Sequence, residues 1–135
     1  MSVREIAQVE EPLMWRRVFP GRVEQVRNVR QLVAVLLADE PCVDDVVLAA
    51  SELFGNACAH TRSGEPGGLV VVDVRKGHGG AAIAVTDQGG ATEPRCGQAD
   101  GLGERGRGLL IVQATAAGWS WYGDQTARTV TAVFR

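Results

Sequence analysis

Apolar residues along this chain switch between strand and helix spacing, and the switches mark its elements. Leu13 to Phe19 is a short apolar and aromatic run closed by Pro20-Gly21, which predicts an edge strand ending in a turn. From Arg22 to Ala38, Val26, Val29, Val33, Leu36 and Leu37 recur at helical spacing until Asp39-Glu40-Pro41 interrupts them, which predicts an amphipathic helix. A second helix is expected from near Pro41, a residue suited to a first turn, to about His60, with Asp44 and Asp45 placed to favour its dipole. Its apolar set is Val43, Val46, Val47, Ala50, Leu53, Phe54 and Ala57. Leu69 to Val74 and Ala82 to Thr86 are short β-branched runs around a Gly77-His-Gly-Gly80 turn, a hairpin pattern. Gly89 to Gly106 reads as a long glycine-rich loop and Gly108 to Ala117 as a third helix. Trp119 to Tyr122 and Thr129 to Phe134 close the chain as a strand pair around Gly123-Asp124. The order β-α-α-β-β-loop-α-β-β favours an α+β fold: a two-layer sandwich with a mixed, mostly antiparallel sheet and helices on one face.

Composition narrows the setting. The 135 residues, 45% of them hydrophobic, suit one ordinary domain over 1–135. Residues 1–12 lack the apolar core of a signal peptide and are expected to form a flexible N-terminus. Acidic residues number 16 against 14 basic ones, and the arginines scatter without forming a stripe, so neither direct nucleic-acid binding nor membrane-surface binding is expected. Cys42, Cys58 and Cys96 form no C-x-x-C pair, and no stretch approaches the roughly 18 apolar residues of a membrane span. A reduced, cytoplasmic setting follows as the expectation. Thirteen of the 17 glycines cluster between Gly64 and Gly108, and that cluster calls for an explanation.

Three segments carry candidate chemistry. With Val43 placed at zero on the second helix, Glu52, Asn56 and His60 fall at about 180°, 220° and 260°, beside the apolar arc. Such a stripe is either a solvated face or a site in which a carboxamide oxygen ligates Mg²⁺ and a carboxylate orients or deprotonates a nucleophile. Asp87 ends an apolar strand and is followed by Gln88, Gly89 and Gly90. It either caps a turn or accepts a hydrogen bond from the exocyclic amine of a base. Gly101-Leu-Gly-Glu-Arg-Gly-Arg-Gly-Leu-Leu110 runs into the third helix. It is either a solvent loop or an anion site built from free N–H groups, with Arg105 and Arg107 adding charge-assisted bonds. No G-x-x-x-x-G-K-[ST] occurs, which excludes a P-loop, and Gly101-x-Gly103 lacks the strand of a dinucleotide fingerprint.

Taken in order, these segments resemble one family. Glu52-Leu-Phe-Gly-Asn56-Ala-Cys-Ala-His60 resembles the N box of the GHKL ATPase superfamily, Asp87-Gln-Gly89 its adenine box, and Gly106-Arg-Gly108-Leu109 its second glycine box, with Thr129 matching its late threonine. Small size and Gly118-Trp119-Ser-Trp121 narrow the resemblance to the anti-sigma-factor serine/threonine kinase branch found in actinobacterial regulators. The resemblance spans about Trp15 to Phe134 and implies a Bergerat-type ATP-binding fold.

On that resemblance, ATP and Mg²⁺ are the expected ligands, with Asn56 holding the cation and Glu52 the general base. Asp87 and Gly89 would take the adenine, Thr129 would support Asp87 or a bridging water, and His60 would organise the nucleotide site. Arg105, Gly106, Arg107, Gly108 and Leu109 would wrap the phosphates, with Gly90 to Arg105 as a lid. The implied activity is phosphorylation of an anti-sigma-factor antagonist, with a sigma factor as second partner and a homodimer as a compatible assembly. An alternative in the same family is a nucleotide-binding partner switch without kinase activity. Neither a complete sensor histidine kinase nor a gyrase-like ATPase is expected on this length. One local departure is Gly55, which sits inside the N-box helix at a cost of about 1 kcal/mol relative to alanine.

Overall fold

The computed structural model describes residues 13–91 and 104–135; the N-terminal stretch 1–12 and most of the expected lid, 92–103, lie outside the described residues. The chain runs β1 (Leu13–Pro20), a 3-10 turn (Val23–Gln25), α1 (Val26–Leu36), α2 (Val43–His60), β2 (Leu69–Gly77), β3 (Gly80–Asp87), α3 (Glu104–Thr115), β4 (Gly118–Gly123) and β5 (Arg128–Phe134). The five strands form one sheet in the order β1-β2-β3-β5-β4. The α+β architecture expected from the pattern is the one observed.

Among the described strands, every neighbouring pair is antiparallel, so the parallel component of the expected mixed sheet is absent. The reason is topological. Although α3 carries the chain from β3 to a β4 that runs in the same direction, β5 inserts between them and opposes both.

Strand alternation and the pairing register assign Phe19, Val70, Val72, Val74, Ile83, Val85, Val130, Ala132 and Phe134 to a single face, and all are buried. The helices cover this face. From α1, Val29 and Val33 are fully buried, as is Leu37 just beyond its end. From α2, Val46, Ala49, Ala50, Leu53, Phe54 and Ala57 join the same core, with Phe54 edge-on to Phe19 at 5.9 Å between ring centroids. α2 ends where Thr61 turns extended; its hydroxyl donates to Ala57 O at 2.6 Å and accepts the Ser63 N–H at 3.1 Å.

The opposite face carries one buried charge. Asp73 is 4% exposed there, and Arg16, its register partner on β1, places Nε 2.7 Å and Nη2 3.3 Å from the two carboxylate oxygens. This bidentate pair satisfies an acid that would otherwise be costly to bury.

Two boundaries differ from the sequence expectation. α2 begins at Val43 rather than Pro41, after Glu40 closes a turn on Leu37 O. α3 begins at Glu104 rather than Gly108, so Gly106 and Gly108 lie inside the helix. Glycine's low helix propensity argues for a loop there, but packing of Leu109 and Val112 into the core outweighs it.

Two predictions follow from the packing. Phe54→Ala should destabilise the fold by about 3–5 kcal/mol, read as a lowered denaturant midpoint at unchanged m-value. Burial pushes the Cys58 thiol up to about 11, so its thiolate forms only at high pH. Peptide-resolved alkylation of Cys58 should run about 100-fold below that of an ordinary thiol near pH 8 and should rise as pH approaches the raised value.

Candidate functional site

Glu52, Asn56 and His60 occupy one stripe of α2, and the surroundings of that stripe decide between a solvated face and a built site. All three are half-buried, and Ala49, on the same side, is fully buried. The stripe looks at α3 rather than at water. A Cβ added to Gly108 would stand 3.0 Å from Glu52 Oε2, 3.2 Å from Asn56 Nδ2 and 3.4 Å from Asn56 Oδ1. Absence of a side chain at this one position of α3 therefore keeps space open over a carboxylate and a carboxamide one helical turn apart.

That space belongs to a cavity of about 350 Å³ lined by Glu52, Asn56 and His60 from α2 and by Gly108 and Ile111 from α3, with Val23 closing one side. Gly55 lines it too, and a Cβ there would meet nothing within 4 Å. No neighbour inside the fold requires a glycine at Gly55; its effect is to keep the cavity wall low. Carboxylate and amide oxygens are the hard donors that suit Mg²⁺, a cation that usually keeps one or two protein ligands and completes its shell with phosphate and water. The cradle over Glu52 and Asn56 thus fits a phosphate-bound cation.

Asp87 lies beyond the His60 end of this cavity. It is 7% exposed, and its Oδ1 accepts the Gly89 N–H at 2.7 Å. Gly89 has φ +78°, and a Cβ on it would fall 2.1 Å from Gln125 O, so only glycine allows the chain to turn here against the β4–β5 connection. A Cβ on Gly90 would come within 3.2 Å of His60 O, which puts the Asp87 loop against the C-terminal end of α2. Gly89 O accepts the Arg62 N–H at 2.9 Å, and the Gln88 N–H donates to the buried Ser63 Oγ at 2.9 Å. A carboxylate held in this way at the end of a buried strand suits the recognition of a donor on an otherwise apolar ligand.

The remaining candidates divide. Gly108 joins Glu52, Asn56 and His60 at the cavity. Arg105, Gly106 and Arg107 fall in the first turn of α3, which is described by its backbone alone. Leu109, expected at the phosphates, has its side chain in the hydrophobic core at 1% exposure. Thr129, expected beside Asp87, lies on the other face of the sheet: it pairs with Thr86, and their hydroxyl oxygens are 2.8 Å apart.

The residue opposite Asp87 is Arg128, which the sequence did not single out. It is 2% exposed, donates from Nε to Asp124 O at 2.8 Å and from Nη2 to Gly90 O, and lies over the Trp121 ring. Arg62 completes the surround, donating from Nη2 to Gln125 O. An arginine opening a strand reads as solvated. The only signal was that the register must place a β5 residue beside Asp87.

Among the described residues, no helix is long and apolar enough to cross a membrane. No curated protein matches the chain. The family model described as "Histidine kinase-like ATPase domain" matches residues 19–134, a span containing Glu52, Asn56, His60, Asp87, Gly89, Gly108 and Arg128. With strands β2 to β5, the α2–α3 cradle and the Asp87 loop all inside that match, the chain belongs to the histidine kinase-like ATPase domain family, whose GHKL-type fold binds ATP.

Proposed function

We propose that the protein is a serine/threonine protein kinase that uses Mg²⁺-ATP to phosphorylate an anti-sigma-factor antagonist and that also binds a sigma factor. The observation that carries this reading is the pairing of Glu52 with Asn56 beneath Gly108. A domain that only held nucleotide would need the amide and the cradle, whereas the carboxylate one turn away supplies a base beside them.

In this reading, Asp87 accepts a hydrogen bond from the adenine amine, and Gly89 supplies the tight turn that holds that carboxylate in place. Asn56 offers its carboxamide oxygen to Mg²⁺, which neutralises charge on the phosphate oxygens when bound. Glu52 accepts the proton of the substrate's serine or threonine hydroxyl as that oxygen bonds to the γ-phosphorus and the bond to the β-phosphate oxygen breaks. His60 lines the cavity beside Glu52 and Asn56, and its backbone carbonyl lies against Gly90, so it organises the end of α2 nearest the Asp87 loop. Thr129 enters only through its hydroxyl contact with Thr86.

Incubation with γ-labelled ATP and candidate antagonist proteins should transfer label to a serine or threonine. Glu52→Ala should slow transfer by at least about 100-fold while leaving Mg²⁺-ATP binding in place. A fully active variant would overturn the base assignment, and binding without transfer to any antagonist would favour a partner switch that works without phosphorylation. Gly108→Ala should crowd the cradle and weaken Mg²⁺-ATP binding by about tenfold or more, while thermal stability changes little because alanine's better helix propensity offsets the close approach to Glu52 and Asn56. Titration calorimetry beside a thermal melt reads both effects.

A further inference from the structure

The Asp87 loop is fastened from two sides, by Arg62 and by Arg128. On one side Arg62 N–H donates to Gly89 O at 2.9 Å, and its side chain reaches Gln125 O across the loop. On the other, Arg128 ties Gly90 O to Asp124 O through one guanidinium, buried under Trp121. The β4–β5 connection to which both arginines attach is itself fixed, because Asp124 Oδ1 accepts the Thr126 N–H at 2.7 Å, the Thr126 hydroxyl at 2.6 Å and the Ala127 N–H at 3.2 Å. Gly89 lies directly against that connection.

We infer that Arg128 is the positioning residue for nucleobase selection: it fastens the Gly89-Gly90 strap to the β4–β5 connection and so fixes the direction of the Asp87 carboxylate. A planar guanidinium joins two carbonyls in one plane, which the single ammonium of a lysine cannot reproduce. A buried cation is tolerated here because carbonyl oxygens and an aromatic face replace its water. The inference rests on the reading of Asp87 as the adenine contact, but the strap itself is testable without nucleotide.

Two measurements on Arg128→Met, Arg128→Lys and Arg62→Ala separate these parts. In the absence of nucleotide, amide exchange at Gly89 should quicken about tenfold or more in Arg128→Met while the strand amides of Val85 and Val130 keep their protection. In titrations with Mg²⁺-ATP and Mg²⁺-GTP, the preference of the unaltered protein for ATP should fall by about tenfold or more in Arg128→Met through loss of ATP affinity alone. Arg128→Lys should fall between the two. Arg62→Ala, an exposed side chain whose loss spares the core, should give a smaller change in the same direction. Unchanged Gly89 exchange, or equal loss of ATP and GTP, would overturn the positioning role, as would strand amides that lose protection together with Gly89. Failure of the unaltered protein to prefer ATP would instead overturn the adenine reading of Asp87, with the exchange measurement still reporting on the strap.

Discussion

α2 can present a polar stripe at a fixed place only because the rest of its circumference is committed to apolar contact. Val46, Ala50, Leu53, Phe54 and Ala57 seat it on the sheet, and Phe54 meets Phe19 from the first strand. Rotation of α2 by one residue would swing this arc by about 100° and expose it, so the hydrophobic term sets the azimuth of Glu52 and Asn56. The functional groups inherit their precision from residues that touch no ligand. α3 works under the same constraint, since burial of Leu109 and Val112 brings Gly108 over the stripe.

The Asp87 end of the site is organised by a different force. Around Asp87 the backbone turns through Gly89 and Gly90, and hydrogen bonds rather than packing hold it: Asp87 to Gly89, Arg62 to Gly89 and Arg128 to Gly90. Hydrogen bonds are directional, and a buried one is costly to leave unmade, so they suit a loop that must keep one shape without a large core of its own. The Arg16–Asp73 pair on the other face shows the same rule between two strands.

The sequence made the helices and most strands legible because their patterns are local. The wide apolar arc of α2 and the β-branched runs of β2 and β3 could hardly be assigned otherwise. The start of α3 was not legible, because Gly106 and Gly108 oppose helix formation and the packing that overrides them is tertiary. The motif at the end of the chain pointed to Thr129, yet the residue beside Asp87 is Arg128. Neighbouring positions of a strand face opposite sides of the sheet, and only the pairing of β5 with β3 settles which of them stands beside Asp87. The cradle at Gly108 was legible as a glycine and not as a contact with Glu52, which depends on how two helices pack.

The sheet order has a consequence for how the molecule is made. β5 is the last strand of the described chain, yet it occupies the place between β3 and β4 and brings Arg128 to the Asp87 loop. Until β5 pairs, β3 has an unpaired edge and the Asp87 loop lacks its ties to Arg128. α2 and the β2–β3 hairpin can already collapse on each other, but the Asp87 loop is fastened to Arg128 only by this long-range insertion. The polar stripe of α2 can therefore form on local packing before the Asp87 loop takes its final shape, so the two ends of the site are set at different stages of folding.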